Sequence, residues 1–493
     1  MDKKARERLD RMFEPKAVAV FGAVHEPGKF GHMIIQSLLK YGYRGQIYPV
    51  HPKGGEVFGL PVYTGLDKIT GPVDLACVSV PAERVPPVLE DCLAHHVAGV
   101  EILSSGFSET GEKRGMELQE EVARISRKGL RVLGPNCFGA QCTRGRITVL
   151  PGFDFSREPG PVSLISQSGG VAADFGHEAR MTGLGLSKVL SFGNGCDLDA
   201  NELLDYLSGD PDTEYIGAYL EGVKDGRRFM GILRGLTRRK PVLIWKGGLT
   251  PLGKRMTKSH TGSMAGESGV WKGLLAQTGA VGVGGLEEMV DTLMALCHLR
   301  RPGNRVAILG GGGAIGVFSS DVAHQWGLEL PLFGSDTQKR LKQWFPTPGN
   351  SMANPIDTGS PVIPEEAMRA VMEEVLTREP VDVLITVLLL HPLGVVLPTF
   401  MEMDKIAWPT LQEYCGALLK GIVAIRKQTG KDVVVVMENR ANLPEDAALE
   451  WESRTLCDAY LDQGVPVYPS VERALRAIGK AASAGRRVQP PGT

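Results

Sequence analysis

Short hydrophobic runs rich in β-branched residues alternate with amphipathic stretches along the whole chain, and turns of Gly, Pro, Asn and Ser join them. This alternation predicts parallel sheets with helices packed on both faces, which is an α/β fold. Strands are expected at residues 17–21, 46–50, 73–78, 99–103, 131–135, 162–165, 215–220, 241–245, 305–309, 383–387 and 433–436. No period of 20–50 residues is present, which excludes a solenoid.

The strands and helices group into three units. At 493 residues the chain is too long for one hydrophobic core. Turn-rich stretches near 151–161 and 300–304 separate the units, so domains are predicted at 1–145, 158–300 and 304–485. The second and third units both begin with a strand, a glycine-rich loop and a helix, which indicates a duplicated fold.

Composition narrows the possible functions. The net charge of −1 gives no general attraction to nucleic acid or to an acidic membrane. No apolar run approaches the ~20 residues that span a bilayer, and the charged start at 1–8 differs from a secretion signal, so a cytoplasmic protein is expected. The eight cysteines contain no CxxC pair and are expected to be reduced. Among the cysteines, Cys137 lies in a Gly-Pro-Asn-Cys turn that could hold a nucleophile, but no histidine is near it in the sequence, which disfavours that role.

The first strand runs into a loop that suits a nucleotide. Residues 22–31 read Gly-Ala-Val-His-Glu-Pro-Gly-Lys-Phe-Gly, with a helix expected from about His32. Glycines there let the backbone approach a pyrophosphate at a helix N-terminus, which is a Rossmann-like arrangement. Lys53 follows the second strand, where NAD-binding proteins carry an acid. Its charge favours a nucleotide with an extra ribose phosphate, either coenzyme A or NADP. A structural unit without a ligand is the alternative.

Two features of the second unit suit phosphate chemistry. Ser166-Gln167-Ser168-Gly169-Gly170 lacks the lysine of a P-loop, yet its hydroxyl and N–H groups open a helix and can bind an anion. Glu221 ends a predicted strand, and a carboxylate can fix the tautomer of a neighbouring imidazole. Close packing by the glycines and a surface carboxylate that caps a turn are the alternatives. Gly310 to Gly313 lack a suitably placed lysine or acid, so no site is assigned there.

His260 lies in the small, polar run Lys258-Ser259-His260-Thr261-Gly262-Ser263-Met264-Ala265-Gly266. Little bulk surrounds the imidazole in this run, and hydroxyl and N–H groups can bind phosphoryl oxygens. A neutral imidazole is nucleophilic and can accept a phosphoryl group. A surface histidine in a polar loop is the alternative.

Taken together, these segments resemble the nucleoside-diphosphate-forming acyl-CoA synthetases, with the alpha subunits of ADP-forming acetate–CoA ligases as the nearest match and succinyl-CoA ligase alpha as a more distant relative. The matching stretches fall in the family's order. They are Val18–Ala23 with Pro27-Gly28-Lys29, Leu133–Cys137, Ser166–Gly170, Tyr219–Gly222 with Lys224-Asp225-Gly226, Ser259–Ser263 and Asn354–Asp357.

The resemblance implies an N-terminal Rossmann-like coenzyme A domain followed by two flavodoxin-like, succinyl-CoA synthetase-like parallel α/β domains. It implies that His260 carries a phosphoryl group and that Glu221 orients it. The implied phosphate-binding residues are Ser168, Gly169, Gly170, Thr261, Gly262 and Ser263. The implied coenzyme A residues are Gly22, Ala23, Gly28, Lys29, Phe30, Gly31, Lys53, Val80, Pro81, Ser105, Gly106 and Asn136.

It further implies an acid–thiol ligase that converts acid, ATP and CoA to acyl-CoA, ADP and phosphate through an acyl phosphate. Ala173 stands near where succinyl-CoA ligases carry a tyrosine, which favours a monocarboxylic acid of undetermined size over succinate. No ATP-grasp module is recognisable, so ATP or ADP and Mg²⁺ are expected on a separate beta subunit, in a hetero-oligomer such as α2β2. The alternatives are a non-catalytic, CoA-binding regulatory protein of the same fold and an NADP-dependent oxidoreductase.

Overall fold

The structure, a computed structural model, describes residues 1–149, 155–156, 158–261, 267–300, 302–310, 312–345, 349–360, 363–403, 408–439 and 443–485. At 258–261 and 400 only the backbone is described. The chain divides into two compact units, one of which holds Met1–Met289 while the other begins at Val290.

Unit 1 contains fourteen described strands and nine described α-helices, and a tenth helix continues into unit 2. The strands are β1 Ala17–Phe21, β2 Gln46–Val50, β3 Glu56–Val57, β4 Leu60–Pro61, β5 Leu75–Val78, β6 Gly99–Ile102, β7 Arg131–Leu133, β8 Gly139–Cys142, β9 Ile147–Thr148, β10 Pro159–Ser166, β11 Leu186–Ser191, β12 Tyr215–Leu220, β13 Val242–Lys246 and β14 Val281–Val283. The helices are α1 Lys3–Phe13, α2 Phe30–Tyr41, α3 Val85–Ala94, α4 Lys113–Ser126, α5 Gly169–Met181, α6 Ala200–Ser208, α7 Gly226–Leu236, α8 Pro251–Thr261, α9 Ser268–Thr278 and α10 Leu286–His298.

Two sheets organise this unit. The first has the parallel order β2-β1-β5-β6-β7, so the carboxyl ends of all five strands lie at one edge. The second has the order β14-β13-β12-β10-β11-β8-β9, in which the five strands from β14 to β11 are parallel. β8 pairs antiparallel with β11, and β9 pairs antiparallel with β8. One cluster of buried apolar side chains extends across both sheets, because α1, β1, β8 and β10 all contribute to it.

Unit 2 has one four-stranded parallel sheet in the order β15-β16-β17-β18. Its strands are β15 Val306–Leu309, β16 Val383–Leu389, β17 Asp432–Glu438 and β18 Val467–Tyr468. Its helices are α11 Gly313–Gln325, α12 Ser335–Trp344, α13 Glu365–Arg378, α14 Leu397–Met403, α15 Leu411–Thr429, α16 Ala447–Asp462 and α17 Val471–Gly485. Its apolar core surrounds β16 and β17, which are buried along almost their whole length.

The predicted fold class is confirmed, since both units combine helices with mainly parallel sheets. The three predicted domain boundaries stay predictions; β8, which begins within the predicted first domain, pairs with β11 of the second sheet. In the part of the chain that the structure describes, no helix is both long enough and apolar enough to cross a membrane.

Candidate functional site

A cleft of about 890 Å³ lies at the carboxyl edge of the first sheet. Open parallel sheets bind ligands at this edge, because the loops that follow the strands diverge there. Residues that follow β1, β2 and β5 line the cleft, among them Gly22, His51 and Val80. The cleft therefore occupies the place where the sequence predicts a nucleotide.

Two glycines allow the closest backbone approach in this cleft. A Cβ added to Gly31 would overlap with the carbonyl oxygen of Gly22, and a Cβ added to Gly22 would overlap with that of Ser79. The start of α2 therefore packs directly against the loop after β1. The residue before this helix, Lys29, makes no side-chain cap, so the first N–H groups of α2 stay available for an anion.

The structure brings six of the twelve predicted coenzyme A residues to the cleft wall. These are Gly22, Lys29, Phe30, Gly31, Val80 and Pro81. Ala23 and Gly28 belong to the same loop without lining the cleft, and Ala23 is buried. Lys53 is exposed and lies outside the lining, while Arg84 lines the cleft and supplies a cation that the sequence analysis missed.

The other three predicted coenzyme A residues lie along the same sheet edge, after β6 and β7. Glu109 accepts hydrogen bonds from the backbone N–H groups of Gly106 and Phe107, at 2.6 and 3.1 Å. Asn194 donates to Glu109 at 2.6 Å and accepts from Asn136 at 3.4 Å. The loop with Ser105 and Gly106 is thus tied through Asn194 to Asn136, beside the cleft but outside its lining.

The predicted phosphate loop connects β10 to α5 in the second sheet. The Ser168 hydroxyl caps α5 by accepting from the N–H of Val171 at 3.3 Å. The Ser166 hydroxyl donates to the carbonyl oxygen of Ser168 at 2.7 Å, which fixes the turn. Gly169 and Gly170 are the first two residues of α5, so their N–H groups lie at the positive end of the helix dipole.

Glu221 lies next to this loop, immediately after β12. The Gln167 side-chain oxygen accepts hydrogen bonds from the backbone N–H groups of Glu221 and Gly222. The Tyr219 hydroxyl donates to Glu221 Oε1 at 3.1 Å, and burial together with the Glu221 charge raises the pKa of Tyr219. The Glu221 side chain is 9% exposed, and its Oε2 atom has no hydrogen-bond partner among the described residues. One carboxylate oxygen is therefore fixed and the other is available to a further donor.

Lys246, at the end of β13, also binds the backbone of Glu221. Its ammonium donates to the carbonyl oxygen of Glu221 at 2.8 Å and also to that of Gly247. The Nζ atom lies 5.3 Å from the centre of the Trp271 ring. Burial lowers the pKa of Lys246 to about 8, partly offset by the negative charge of Glu221. Gln167 and Lys246 together fix the backbone that carries the Glu221 carboxylate.

The Phe138 ring separates the cleft from the phosphate loop. Its centre lies 6.5 Å from that of Phe30, which lines the cleft. On its other side the ring packs against the start of α5, where a Cβ added to Gly169 would come within 2.6 Å of Phe138 Cγ. Within unit 1 the cleft and the phosphate loop are therefore neighbours across one aromatic side chain.

The predicted phosphoryl carrier lies at the end of α8, which follows β13 and packs against the turn Ser108–Thr110. The backbone is helical through Thr261, so His260 belongs to a helix and not to the polar loop that the sequence analysis considered. The side chains of His260 and Thr261, and all of Gly262 and Ser263, lie outside the described residues. Their predicted roles stay predictions.

Cys137 has the surroundings of a structural thiol. It is 2% exposed, and its Sγ lies 3.3 Å from the carbonyl oxygen of Ile102. Burial, followed by the nearby Glu101 carboxylate, raises the pKa of Cys137, which disfavours the reactive thiolate. No group of three or more potential metal-ligating side chains occurs among the residues that the structure describes.

Comparisons with known proteins agree with this arrangement. A model of a CoA binding domain matches residues 16–143, and a model described as a succinyl-CoA ligase like flavodoxin domain matches residues 159–296. The first match contains the cleft and the second contains Ser168, Glu221 and His260.

Relatives cover nearly the whole chain. The alpha subunit of acetate–CoA ligase [ADP-forming] I from Pyrococcus furiosus is 34% identical, over 95% of this chain and 96% of the relative. The acetate–CoA ligase [ADP-forming] I of Archaeoglobus fulgidus is 36% identical, over 77% of this chain and only 55% of the relative. A solved structure of the dinucleotide forming acetyl-coenzyme A synthetase 1 of Ca. Korarchaeum cryptofilum, in complex with phosphate and ADP, has a TM-score of 0.81 and 32% identity over 97% of both chains. The chain belongs to the nucleoside-diphosphate-forming acyl-CoA synthetases, among the relatives of the ADP-forming acetate–CoA ligase alpha subunits.

Proposed function

We propose that this chain is the alpha subunit of an ADP-forming acyl-CoA synthetase. The reaction is acid + ATP + CoA ⇌ acyl-CoA + ADP + phosphate. The observation that carries the proposal is the placement, in one compact unit, of a coenzyme A-type cleft beside a phosphate loop and a fixed carboxylate. Relatives of matching length are named as alpha subunits of such ligases.

The backbone and the basic side chains of the cleft suit coenzyme A. The uncapped start of α2 can bind a pyrophosphate, and the bare backbones of Gly22 and Gly31 let it approach closely. Lys29 and Arg84 supply positive charge at the cleft wall. The thiol end is then expected near Phe138, which faces the phosphate loop.

The proposed chemistry, written in the direction of thioester cleavage, has three transfers. A phosphate oxygen attacks the thioester carbonyl carbon, the carbon–sulfur bond breaks and CoA leaves with a proton. A nitrogen of His260 then attacks phosphorus, the bond to the acyl oxygen breaks and the carboxylic acid leaves as its anion. The phosphoryl group finally passes from the imidazole to ADP.

Glu221 and the start of α5 are assigned supporting roles in these transfers. The unpartnered Oε2 atom of Glu221 can accept a hydrogen bond from one imidazole nitrogen of His260 and leave the other free to attack phosphorus. The N–H groups of Gly169 and Gly170, with the Ser168 hydroxyl, suit a phosphoryl group that carries negative charge.

The nucleotide is assigned to a separate beta subunit. The chain spans 96% and 89% of two relatives that are named as alpha subunits, and 55% of the Archaeoglobus ligase that it matches. We assign ATP or ADP and Mg²⁺, in an ATP-grasp domain, to a partner chain of a hetero-oligomer such as α2β2. The acid is expected to be a monocarboxylic acid.

The test is an activity assay on the chain co-expressed with an ATP-grasp beta subunit. ADP release that requires both CoA and an acid is expected, with acetate and larger monocarboxylic acids ahead of succinate.

Glu221→Gln should lower kcat about a hundredfold with little change in the KM for CoA, because the amide cannot stabilise a charged imidazole. Glu214→Gln, an exposed control at the start of the same β12 region, should match the wild type. ADP release that no acid stimulates would refute the proposal, as would full activity of Glu221→Gln.

A further inference from the structure

A second cavity, of about 420 Å³, lies at the opposite edge of the first sheet and plays no part in the proposed reaction. We call it the amino-edge cavity, because residues just before β1 and β2 line it together with the turn between β8 and β9. β1 is five residues long, so about 17 Å of strand separates this cavity from the coenzyme A cleft. A ligand in the amino-edge cavity would be separate from one in the cleft.

All the charged residues that line this cavity are basic. Lys16, Arg44, Arg144 and Arg146 are among the nine lining residues, and none of those nine is acidic. Arg144 forms ion pairs with two acids that do not line the cavity, Asp212 at 2.9 Å and Glu14 at 4.0 Å.

The other three cations have exposed side chains and differ from Arg144 in their surroundings. The side chains of Lys16, Arg44 and Arg146 have no ion-pair or hydrogen-bond partner among the residues that the structure describes. The nearest guanidinium contact is with the end of α2, since a Cβ added to Gly42 would lie 4.0 Å from Arg146 Nη1. Like charges repel, so three such groups around one concavity create a site that an anion would stabilise.

The backbone that carries these cations is held by hydrogen bonds. The Tyr43 hydroxyl donates to the carbonyl oxygen of Pro15 at 2.9 Å, and the Gln46 N–H donates to that of Lys16 at 2.9 Å. The Arg146 N–H closes its turn on Thr143 at 3.1 Å, and β8 before it is paired with β11. Fixed backbones limit the conformational entropy that an anion must remove on binding.

We propose that the amino-edge cavity binds a small phosphate-bearing anion. The guanidinium groups of Arg44 and Arg146 can bind the oxygens of an anion with paired N–H donors, and they cannot ligate a metal cation. Several positive charges around one cavity favour a phosphate group, which carries more negative charge than a carboxylate. The cavity has less than half the volume of the coenzyme A cleft, so it suits a phosphate or diphosphate group and not the whole coenzyme. The site is distinct from the phosphate loop, which lies at the carboxyl end of β10.

Binding can be localised on the full-length chain saturated with CoA, which occupies the cleft. Inorganic pyrophosphate is the probe, and hydrogen–deuterium exchange is the readout. Slower exchange is expected in peptides that cover residues 43–46 and 143–146. Orthophosphate and ADP are tested in the same way: protection by ADP at lower concentration than by pyrophosphate points to a nucleotide, and equal protection points to the phosphate group itself.

Two double variants distinguish binding in this cavity from a general effect of lost positive charge. Arg44→Gln with Arg146→Gln should weaken pyrophosphate binding at least tenfold in calorimetry and abolish the protection of both segments. Arg227→Gln with Arg238→Gln removes the same charge from exposed positions elsewhere in unit 1 and should change the dissociation constant less than twofold. The proposal is overturned if wild type shows no protection at these segments, or if both double variants lose binding equally.

Discussion

At the residue scale, the position of Glu221 depends on the side chains that bind its backbone. Gln167 binds its backbone from the phosphate loop, and Lys246 binds it from the neighbouring strand. A shift of this carboxylate by a fraction of an ångström would misplace a hydrogen bond to an imidazole, and catalysis is sensitive to such shifts. Lys246 is therefore a positioning residue in the proposed reaction.

The Lys246 ammonium gives this positioning a pH dependence. Burial lowers its pKa to about 8, so most of the ammonium is charged at pH 7 and the charge is lost as the pH rises through 8. We expect kcat to fall on the alkaline side with an apparent pKa near 8. Lys246→Met should lower kcat about tenfold at pH 7, in line with the loss of a charged hydrogen bond, and should abolish the alkaline fall.

Lys246→Arg keeps the charge and should move the alkaline fall above pH 10, because a guanidinium stays protonated there. The KM for CoA serves as the control, since the cleft lies in the other sheet, and it should stay within twofold in both variants. An alkaline fall that is unchanged in both variants would assign it to another group.

The sequence predicted some residues of this site, but no local sequence pattern marks the others. Lys53 directly follows β2, but the turn closed by Gly54 N–H on the His51 carbonyl oxygen leaves Lys53 exposed outside the cleft lining. Arg84 reaches the cleft wall from the turn Ala82–Arg84, after β5. Lys246 looks in the sequence like the end of an ordinary buried strand. Such positions depend on tertiary packing, which one sequence does not encode in any local pattern.

At the element scale, the strongly hydrophobic strands were predictable. β1, β2 and β12 match their predicted ranges, because each is a short, mainly apolar run bounded by turn residues. No strand was predicted at β3, β4, β8, β9, β14 and β18, because runs of two to four residues resemble loops. None was predicted at β11 either, where Ser187 and Lys188 interrupt the apolar pattern of a buried strand. The helix α2 begins at Phe30, shortly before its predicted start at about His32, because no side-chain cap marks the boundary.

The junction between β1 and α2 makes a specific prediction. Gly31→Ala places a Cβ against the Gly22 carbonyl oxygen, which pushes the start of α2 away from the cleft. The KM for CoA should rise at least tenfold, and the free energy of unfolding should fall by about 1–3 kcal/mol, the usual cost of an overpacked site.

Gly269→Ala is a matched control. Gly269 is also the second residue of a helix, α9, but a Cβ there meets no atom within 4 Å. This variant should keep the wild-type KM for CoA and unfold at the same or a slightly higher denaturant concentration. If both variants bind CoA like the wild type, the start of α2 does not form part of the binding site.

At the scale of the whole molecule, the arrangement of the two sheets in unit 1 explains how one chain can join thioester and phosphate chemistry. The hairpin of β8 and β9 continues the chain from the first sheet into the second, and Phe138 lies just before it, between the cleft and α5. The sequence predicted both sheets and both loops as separate features. It could not predict their proximity, because that depends on how β8 pairs.

The central claim is that His260 carries a phosphoryl group, and labelling tests it most directly. The chain is incubated with ATP labelled at the γ-phosphate, Mg²⁺ and its beta subunit, and the label is then located by peptide mapping. We expect an acid-labile, base-stable label on the peptide containing His260, absent without the beta subunit. His260→Ala should lose the label, and His324→Ala, which alters an exposed histidine of unit 2, should retain it. A label that persists in His260→Ala would contradict the proposed mechanism.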